Sequence, residues 1–248
     1  MTTRDRVDVV AAHHERVTVR AGDVFLKIDI DQERSNTEVA ALNAAPIPTP
    51  NILWRAPPVL ALAALPGRPL ARLGEPSTAS QQAWASAGSV VRVLHDAPLP
   101  TWSCRDHHDI SSELDVTCEW IIANEVLPAD LVRRNRRIAE AALRPWAPAF
   151  THGDLQAEHV FVDGDDVTGV IDWSEASAGD AMYDLATMTI GHQDHLEAVV
   201  TGYGLDVDRE VIRAWWSLRS LRGVRWLVEH GLDPFRSGCE VDVLKAQL

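Results

Sequence analysis

The sequence predicts an α+β fold with two lobes, a small antiparallel sheet at the N-terminal end followed by a mainly helical part. Short runs rich in β-branched residues, separated by turn residues, fill the first 65 positions. Beyond residue 75 the apolar residues take helical spacing instead. The stretch Pro66-Gly67-Arg68-Pro69 separates the two patterns. We therefore predict an N-terminal lobe of residues 1–66, with a hinge at about 61–66, and a C-terminal lobe of residues 67–248.

The N-terminal lobe is predicted to contain four strands and one helix. The turn sequence Ala21-Gly22-Asp23 joins the first two strands into an antiparallel hairpin. Ser35 is the expected N-cap of the helix, and the prolines that follow residue 45 end it. The strands are expected at residues 17–20, 24–30, 52–55 and 59–65, and the helix at residues 33–45.

The C-terminal lobe is predicted to be helical with one β-hairpin. Two apolar runs, residues 160–162 and 167–171, lie on either side of the tight-turn sequence Asp163-Gly164-Asp165-Asp166. Helical spacing relates the apolar residues before and after this hairpin: Trp84, Ala87, Val91 and Leu94; Trp120 and Ile121; Leu131 and Ile138; Trp215, Leu218, Leu221 and Trp226.

The composition excludes several classes of partner. With 36 acidic and 23 basic residues the formal charge is -13, and no basic stripe is present to replace the counterions of a nucleic acid. The longest apolar runs, such as residues 59–65, are too short to span a membrane, and residues 1–6 are too polar for a signal peptide. We expect a cytoplasmic protein, monomer or homodimer, that binds neither nucleic acid nor membrane. Cys104, Cys118 and Cys239 form no C-x-x-C pair and are expected to be reduced.

Polar residues that suit catalysis surround the predicted hairpin. Asp154 lies five residues before His159 in a loop, and Asp172 follows the second hairpin strand. Such a loop brings three metal or proton ligands to one point, which is typical of a catalytic site. The segment reads Thr151-His152-Gly153-Asp154-Leu155-Gln156-Ala157-Glu158-His159-Val160 and then Gly169-Val170-Ile171-Asp172-Trp173.

These motifs, in this order, resemble the aminoglycoside phosphotransferase family, whose fold is similar to that of protein kinases. The resemblance implies that Asp154 is the catalytic aspartate, which accepts or orients the proton of an acceptor hydroxyl. It implies that Asp172 is the chief Mg²⁺ ligand and that His152 is a scaffold residue. The motifs that carry it are H-G-D-x-x-x-x-H, I-D-W, Gly179-Asp180 and Asp184-Leu185-Ala186.

His159 departs from the Asn that many members of this family carry at the second metal position. Imidazole nitrogen suits Mn²⁺ better than Mg²⁺. We therefore expect ATP and Mg²⁺ as cofactors with Mn²⁺ tolerated, or else a His159 that acts through a water molecule.

Lys27 and Glu38 support the resemblance independently of the catalytic motifs. A kinase needs a Lys on a strand for the α and β phosphates and a Glu on the next helix to hold it. Lys27 lies in a predicted strand and Glu38 in the predicted helix that follows. Because the chain has only two lysines, Lys27 and Lys245, composition alone does not readily explain a Lys at this place.

The sequence indicates the remainder of the nucleotide-binding site only in part. The resemblance implies that backbone groups at Ala63 and Leu65 bind the adenine. The turn expected to cover the phosphates, Ala11-Ala12-His13-His14-Glu15, contains no glycine. The side chains near residue 65 do not distinguish ATP from GTP.

The leading hypothesis is an ATP-dependent phosphotransferase that acts on a hydroxyl of a small molecule, for example an aminoglycoside-like antibiotic. One alternative is a metal-dependent hydrolase with His152, Asp154, His159 and Asp172 as ligands. The other is a catalytically silent nucleotide-binding module. The acceptor is expected between the catalytic loop and residues 106–125 and 192–230, but its binding residues are unknown. Trp215, Trp216 and Trp226 either line that pocket or pack in the core.

The acidic charge is concentrated in one segment. Residues 145–208 contain thirteen acidic and no basic residues, which leaves 23 of each in the rest of the chain. The segment includes Asp154 and Asp172, so we expect a negative field that attracts Mg²⁺ and a cationic acceptor. Lys27 is the lone cation that the sequence lets us place against the phosphates.

Overall fold

The computed structural model describes residues 7–13, 15–102 and 107–247. It confirms the α+β class, with an antiparallel sheet in the N-terminal region and helices in most of the rest. The first sheet has the strand order β1-β2-β3-β5-β4. Its strands are β1 (Val7–His13), β2 (Arg16–Ala21), β3 (Val24–Asp29), β4 (Ile52–Ala56) and β5 (Val59–Ala63).

The hairpin of β2 and β3 forms at the predicted turn, and its register decides which side chains share a face. Thr18 lies opposite Lys27, and Arg16 lies opposite Asp29. Cross-strand partners and alternate residues point to the same side of a sheet, so these four side chains share one face.

Strand β1 was not predicted. Residues 11–13 belong to β1, and β2 begins at Arg16, so only two residues join the strands. His14 lies outside the described residues. Strand β1 pairs with β2 as far as His13 opposite Arg16, and the role of residues 11–15 over the phosphates remains a prediction.

Helix α1 (Gln32–Ala44) begins one residue earlier than predicted, and its cap is Asp31 rather than Ser35. The Asp31 side chain accepts hydrogen bonds from the N–H groups of Glu33 and Arg34, which would otherwise lack partners at the helix start. Ser35 lies inside the helix and is buried, together with Glu38. The helix therefore presents Glu38 towards the sheet.

The C-terminal region contains the four predicted helices and the predicted hairpin, together with three helices and three short strands that were not predicted. The helices are α2 (Gln81–His95), α3 (His107–Ala123), α4 (Ala129–Ala139), α5 (Ala181–Thr189), α6 (Leu196–Tyr203), α7 (Arg209–Glu229) and α8 (Glu240–Ala246). Short strands β6 (Arg68–Pro69), β8 (Val160–Asp163) and β9 (Asp166–Val170) form one sheet, and β7 (Pro148–Thr151) pairs with β10 (Ser177–Asp180). Because β6 pairs with β8, the chain enters this region by residue 68. The lobe division at residue 66 remains a prediction.

Two cysteines have free thiols, Cys118 and Cys239, and both are buried. Burial raises the pKa of the Cys118 thiol to about 11, so it is protonated at neutral pH. Cys104 lies outside the described residues. Within the described ranges, none of the helices has the length and apolar character needed to traverse a bilayer.

Candidate active site

The predicted catalytic loop follows β7 and turns sharply at Gly153. Gly153 has φ +82°, a left-handed conformation that suits glycine. A Cβ at this position would lie 2.1 Å from the carbonyl oxygen of Glu175. Glycine is therefore required for two reasons, the backbone angle and the close approach of another chain segment.

We expect Gly153→Ala to lower the free energy of unfolding by about 3 kcal/mol or more, because left-handed strain and a backbone clash add. Gly164→Ala is the matched control, since Gly164 also has a left-handed φ of +61° but nothing within 4 Å of its Cβ position. That control should lose only about 1–2 kcal/mol. Denaturant unfolding measures both, and equal losses would contradict the clash.

Asp184 holds the backbone of the catalytic loop. Its carboxylate is fully buried and accepts the N–H groups of His152 at 2.7 Å and Gly153 at 3.0 Å. His95 Nε2 lies 3.1 Å from the same carboxylate. Asp184 therefore fixes the two residues before Asp154 instead of facing the site.

Both ring nitrogens of His152 are used inside the protein. Nε2 donates to the Ile171 carbonyl at 2.9 Å, and Nδ1 accepts the N–H of Asp154 at 3.3 Å. Complete burial lowers the pKa of His152, so the imidazole is neutral. His152 links the loop to the end of β9 and has no nitrogen available for a metal.

Asp154 is paired with a cation that the sequence analysis did not identify. Arg219, on α7, donates from Nη2 to Oδ1 at 3.1 Å, and Gln156 donates from Nε2 to Oδ2 at 3.1 Å. Burial favours the neutral acid, but the charge of Arg219, assisted by His159, outweighs it and lowers the pKa of Asp154. The carboxylate is therefore ionised at neutral pH.

His159 lies between the two candidate carboxylates. Nδ1 donates to the Asp154 backbone carbonyl at 2.7 Å, since a carbonyl can only accept. Nε2 lies 4.0 Å from Asp172 Oδ2. Nδ1 therefore carries a proton, and Nε2 is the ring nitrogen that faces Asp172.

Asp172 follows β9 with φ +67°, an uncommon conformation for a residue other than glycine. Its Oδ1 accepts from Arg16 Nη2 at 2.6 Å and from Lys27 Nζ at 3.0 Å. Burial raises the pKa of this carboxyl, but the charges of Lys27 and then Arg16 outweigh burial and hold the pKa well below its usual range. Oδ1 is therefore shared by two cations, while Oδ2 faces His159.

The predicted Lys27–Glu38 pair is present. Lys27 Nζ donates to Glu38 Oε1 as well as to Asp172, which links α1, β3 and the end of β9. Both side chains are largely buried, at 11% and 5% exposed. A low-polarity environment strengthens such a pair and makes the loss of either partner costly.

The predicted adenine-binding residues lie at the end of β5. The Ala63 N–H donates to the Asn51 carbonyl at 2.9 Å, so only its carbonyl remains for a nucleotide. Leu65 approaches Gly169 closely, because a Cβ on Gly169 would lie 2.7 Å from its methyl groups. The binding role of Ala63 and Leu65 remains a prediction.

The residues present suit Mg²⁺ bound together with phosphates. Asp172 Oδ2 faces His159 Nε2 at 4.0 Å, so these two residues would hold the ion and phosphates would supply further ligands. In the part of the chain that the structure describes, no group of three or more His, Cys, Asp or Glu is arranged to hold a metal. Mg²⁺ sites in kinases use one or two protein ligands plus substrate phosphates.

The tryptophans proposed for the acceptor pocket divide between core and surface. Trp215 and Trp216 are 2% and 5% exposed, and their Nε1 atoms donate to Asp180 and to the Ala186 carbonyl. Trp226 is 42% exposed and stacks on His230 at 4.2 Å. For Trp215 and Trp216, the prediction that they pack in the core is confirmed.

Three carboxylates of the acidic segment form ion pairs with basic residues from elsewhere in the chain. Lys27 is not the lone cation beside Asp172, because Arg16 binds the same carboxylate oxygen. The hairpin register places Arg16 on the same face as Lys27, but its contact with Asp172 depends on tertiary packing. Arg219 was not detectable in the sequence, because nothing in helical spacing relates α7 to the catalytic loop. The ion pairs are Arg16 and Lys27 with Asp172, Arg219 with Asp154, and Arg144 with Asp180.

Comparison with known proteins identifies the family of the chain. A model of the phosphotransferase enzyme family matches residues 15–222, most of the chain. The chain belongs to the phosphotransferase enzyme family. The predicted resemblance is therefore confirmed, and with it an enzyme of the small-molecule kinase type.

Three solved structures illustrate the similarity of the fold. A choline/ethanolamine kinase family protein from Mesorhizobium loti is 23% identical, with 98% of this chain and 87% of that chain covered and a TM-score of 0.67. A macrolide 2'-phosphotransferase from Brachybacterium faecium is 20% identical, with 98% and 91% covered and a TM-score of 0.66. An aminoglycoside phosphotransferase solved with GDP and kanamycin is 15% identical, with 99% and 94% covered and a TM-score of 0.72. No curated protein sequence matches the chain.

Proposed function

We propose that this phosphotransferase moves the γ-phosphate of ATP to a hydroxyl of a small molecule, with an aminoglycoside-like antibiotic as the acceptor class to test first. The observation that carries the proposal is the position of His159, which hydrogen-bonds the backbone of Asp154 and faces Asp172. His159 therefore connects Asp154, which is proposed to contact the acceptor, with Asp172, which is proposed to hold the metal.

Asp154 receives or orients the proton of the attacking hydroxyl. Its low pKa does not oppose this role, because phosphoryl transfer depends mainly on positioning and on charge neutralisation. Arg219, on α7, and Gln156 hold the Asp154 carboxylate in place by hydrogen bonds. We propose that the acceptor lies between Asp154 and that helix.

Lys27, held by Glu38, binds the nucleotide phosphates, and Asp172 and His159 hold Mg²⁺, with Mn²⁺ also accepted. The metal supplies charge neutralisation to the transferring phosphoryl group when it is bound. The Asp172 side chain stays ionised because the positive charges of Lys27 and Arg16 lower the pKa of its carboxyl. The adenine is proposed to bind at Ala63 and Leu65.

The hydrolase alternative is disfavoured by the hydrogen bonds of His152. A four-ligand metal set needs a free nitrogen on that ring, and both nitrogens are already engaged. The silent-module alternative differs from the proposal in one observable property, the stimulation of nucleotide turnover by an acceptor.

The experiment that tests the function is an ADP-release screen of aminoglycosides, macrolides, amino alcohols and sugars. ATP and GTP are compared as donors, and Asp154→Ala is the blank. We expect at least one hydroxyl compound to raise turnover above the blank, with the phosphorylated product detected by mass spectrometry. Nucleotide binding without stimulation by any acceptor would favour the silent module instead.

Arg219→Gln is expected to move the acidic limb of the pH profile of kcat/KM to higher pH. Removing the guanidinium leaves burial to raise the pKa of Asp154, so the carboxylate protonates at a less acidic pH. The kcat/KM profile reports ionisations of the free enzyme, in which this ion pair is present.

Arg219→Lys is the control for this shift, because it keeps a positive charge at the end of a similar stem. It should leave the limb close to its wild-type position. An unshifted limb in Arg219→Gln would show that Arg219 has only a structural role.

A further inference from the structure

The side chain of Arg16 enters the site from the first residue of β2, directly after the two-residue connection from β1. It shares a sheet face with Lys27 and reaches the same oxygen, Asp172 Oδ1. It also contacts Ser174 Oγ at 3.4 Å and lies 3.7 Å from Glu38 Oε2. Its side chain is 18% exposed, so the guanidinium is withdrawn from most solvent.

The other acidic neighbours of Arg16 already have closer partners. Arg34 binds Asp29 through both Nε and Nη2, at 2.9 and 3.0 Å, whereas Arg16 is 3.9 Å from that carboxylate. Glu38 is held by Lys27. Asp172 is therefore the one carboxylate in this cluster that binds Arg16 at hydrogen-bond distance.

If the proposed function is correct, the ion pair between Arg16 and Asp172 cannot persist when the nucleotide is bound. Asp172 is then a metal ligand, and a guanidinium on Oδ1 competes with the cation for the same negative charge. Arg16 needs another anion when the metal and nucleotide are bound. The phosphates supply one, because a guanidinium fork matches their oxygens and remains charged at every physiological pH.

We propose that Arg16 is a second phosphate-binding residue beside Lys27, which rests on Asp172 when no nucleotide is bound. Arg16 follows residues 11–15, which contain no glycine, and its guanidinium lies on the carboxylate that is proposed to hold the metal of the nucleotide. Nucleotide binding exchanges the Asp172 carboxylate for phosphate, which frees Oδ1. The inference rests on the proposed function, since it needs a nucleotide at this site.

The test compares wild type, Arg16→Gln and Arg16→Lys by calorimetric titration with ADP and with adenosine, without divalent metal. Binding of Mn²⁺ to the nucleotide-free proteins is measured separately by electron paramagnetic resonance. Arg20→Gln is the matched control, because it removes the same charge from the same strand at an exposed residue that bonds the Gly22 carbonyl.

Arg16→Gln should weaken ADP binding about tenfold or more, as expected for a lost charge-assisted hydrogen bond. Adenosine binding should stay unchanged because adenosine has no phosphate. Mn²⁺ binding should become tighter, because Asp172 loses a competing cation. Arg16→Lys should recover part of the ADP affinity, and Arg20→Gln should resemble wild type throughout.

Unchanged ADP affinity in Arg16→Gln, with wild type binding ADP normally, would overturn the inference and leave the proposed function standing. A joint loss of ADP, adenosine and Mn²⁺ binding would also overturn it, because that result indicates a structural role. A wild-type protein that binds no ADP would overturn the proposed function and this inference together.

Discussion

An Asp154→Asn variant is expected to lose about 10²- to 10⁴-fold in kcat, the range that a positioned proton acceptor contributes. Asn retains an oxygen that can accept from Arg219, so the side chain keeps its place while losing the charge that attracts the acceptor proton. Nucleotide affinity should not fall, because the contacts of Asp154 are to α7 and to Gln156 rather than to Lys27 or Asp172.

The control for Asp154→Asn is Asp163→Asn, the same chemical change at an exposed residue of the β8–β9 hairpin. It should have wild-type kcat. Single-turnover and steady-state assays with the acceptor found by the screen measure both variants. Activity of Asp154→Asn equal to that of Asp163→Asn would contradict the catalytic assignment, whatever its effect on stability.

An Asp172→Asn variant is expected to lose about a thousandfold or more in kcat, since metal-based charge stabilisation contributes several kcal/mol and each 1.36 kcal/mol is tenfold. Asn tolerates the left-handed backbone of this position, so the loss reports the missing charge and not a distorted turn. Metal-dependent enhancement of nucleotide binding should disappear.

Metal-free ADP binding provides the internal control for Asp172→Asn. It should be retained or tighter, because Arg16 and Lys27 no longer have the carboxylate as a partner. His159→Asn, tested in parallel, should keep Mg²⁺-dependent activity while reducing the relative activity with Mn²⁺, if the imidazole binds the metal directly. Full metal dependence in Asp172→Asn would contradict its assignment as a metal ligand.

The elements that the sequence predicted well are those that local chemistry specifies. The Ala21-Gly22-Asp23 turn fixed the β2–β3 hairpin, and helical spacing located α2, α3, α4 and α7. Helix α1 was also predicted, but its cap was not, because Asp31 and Ser35 are both residues that favour a helix start. Strand β1 was missed because an exposed edge strand has weak apolar alternation.

The sequence by itself determined the family, the five-residue spacing of Asp154 and His159, and the Lys27–Glu38 pair, because short motifs and strand-to-helix order encode them. Only the tertiary structure decided which charged residues surround them. Arg219 arrives from a helix 65 residues after Asp154, and Arg16 reaches a carboxylate 156 residues away. Such ion pairs depend on which elements pack together, and no local pattern of residues specifies that.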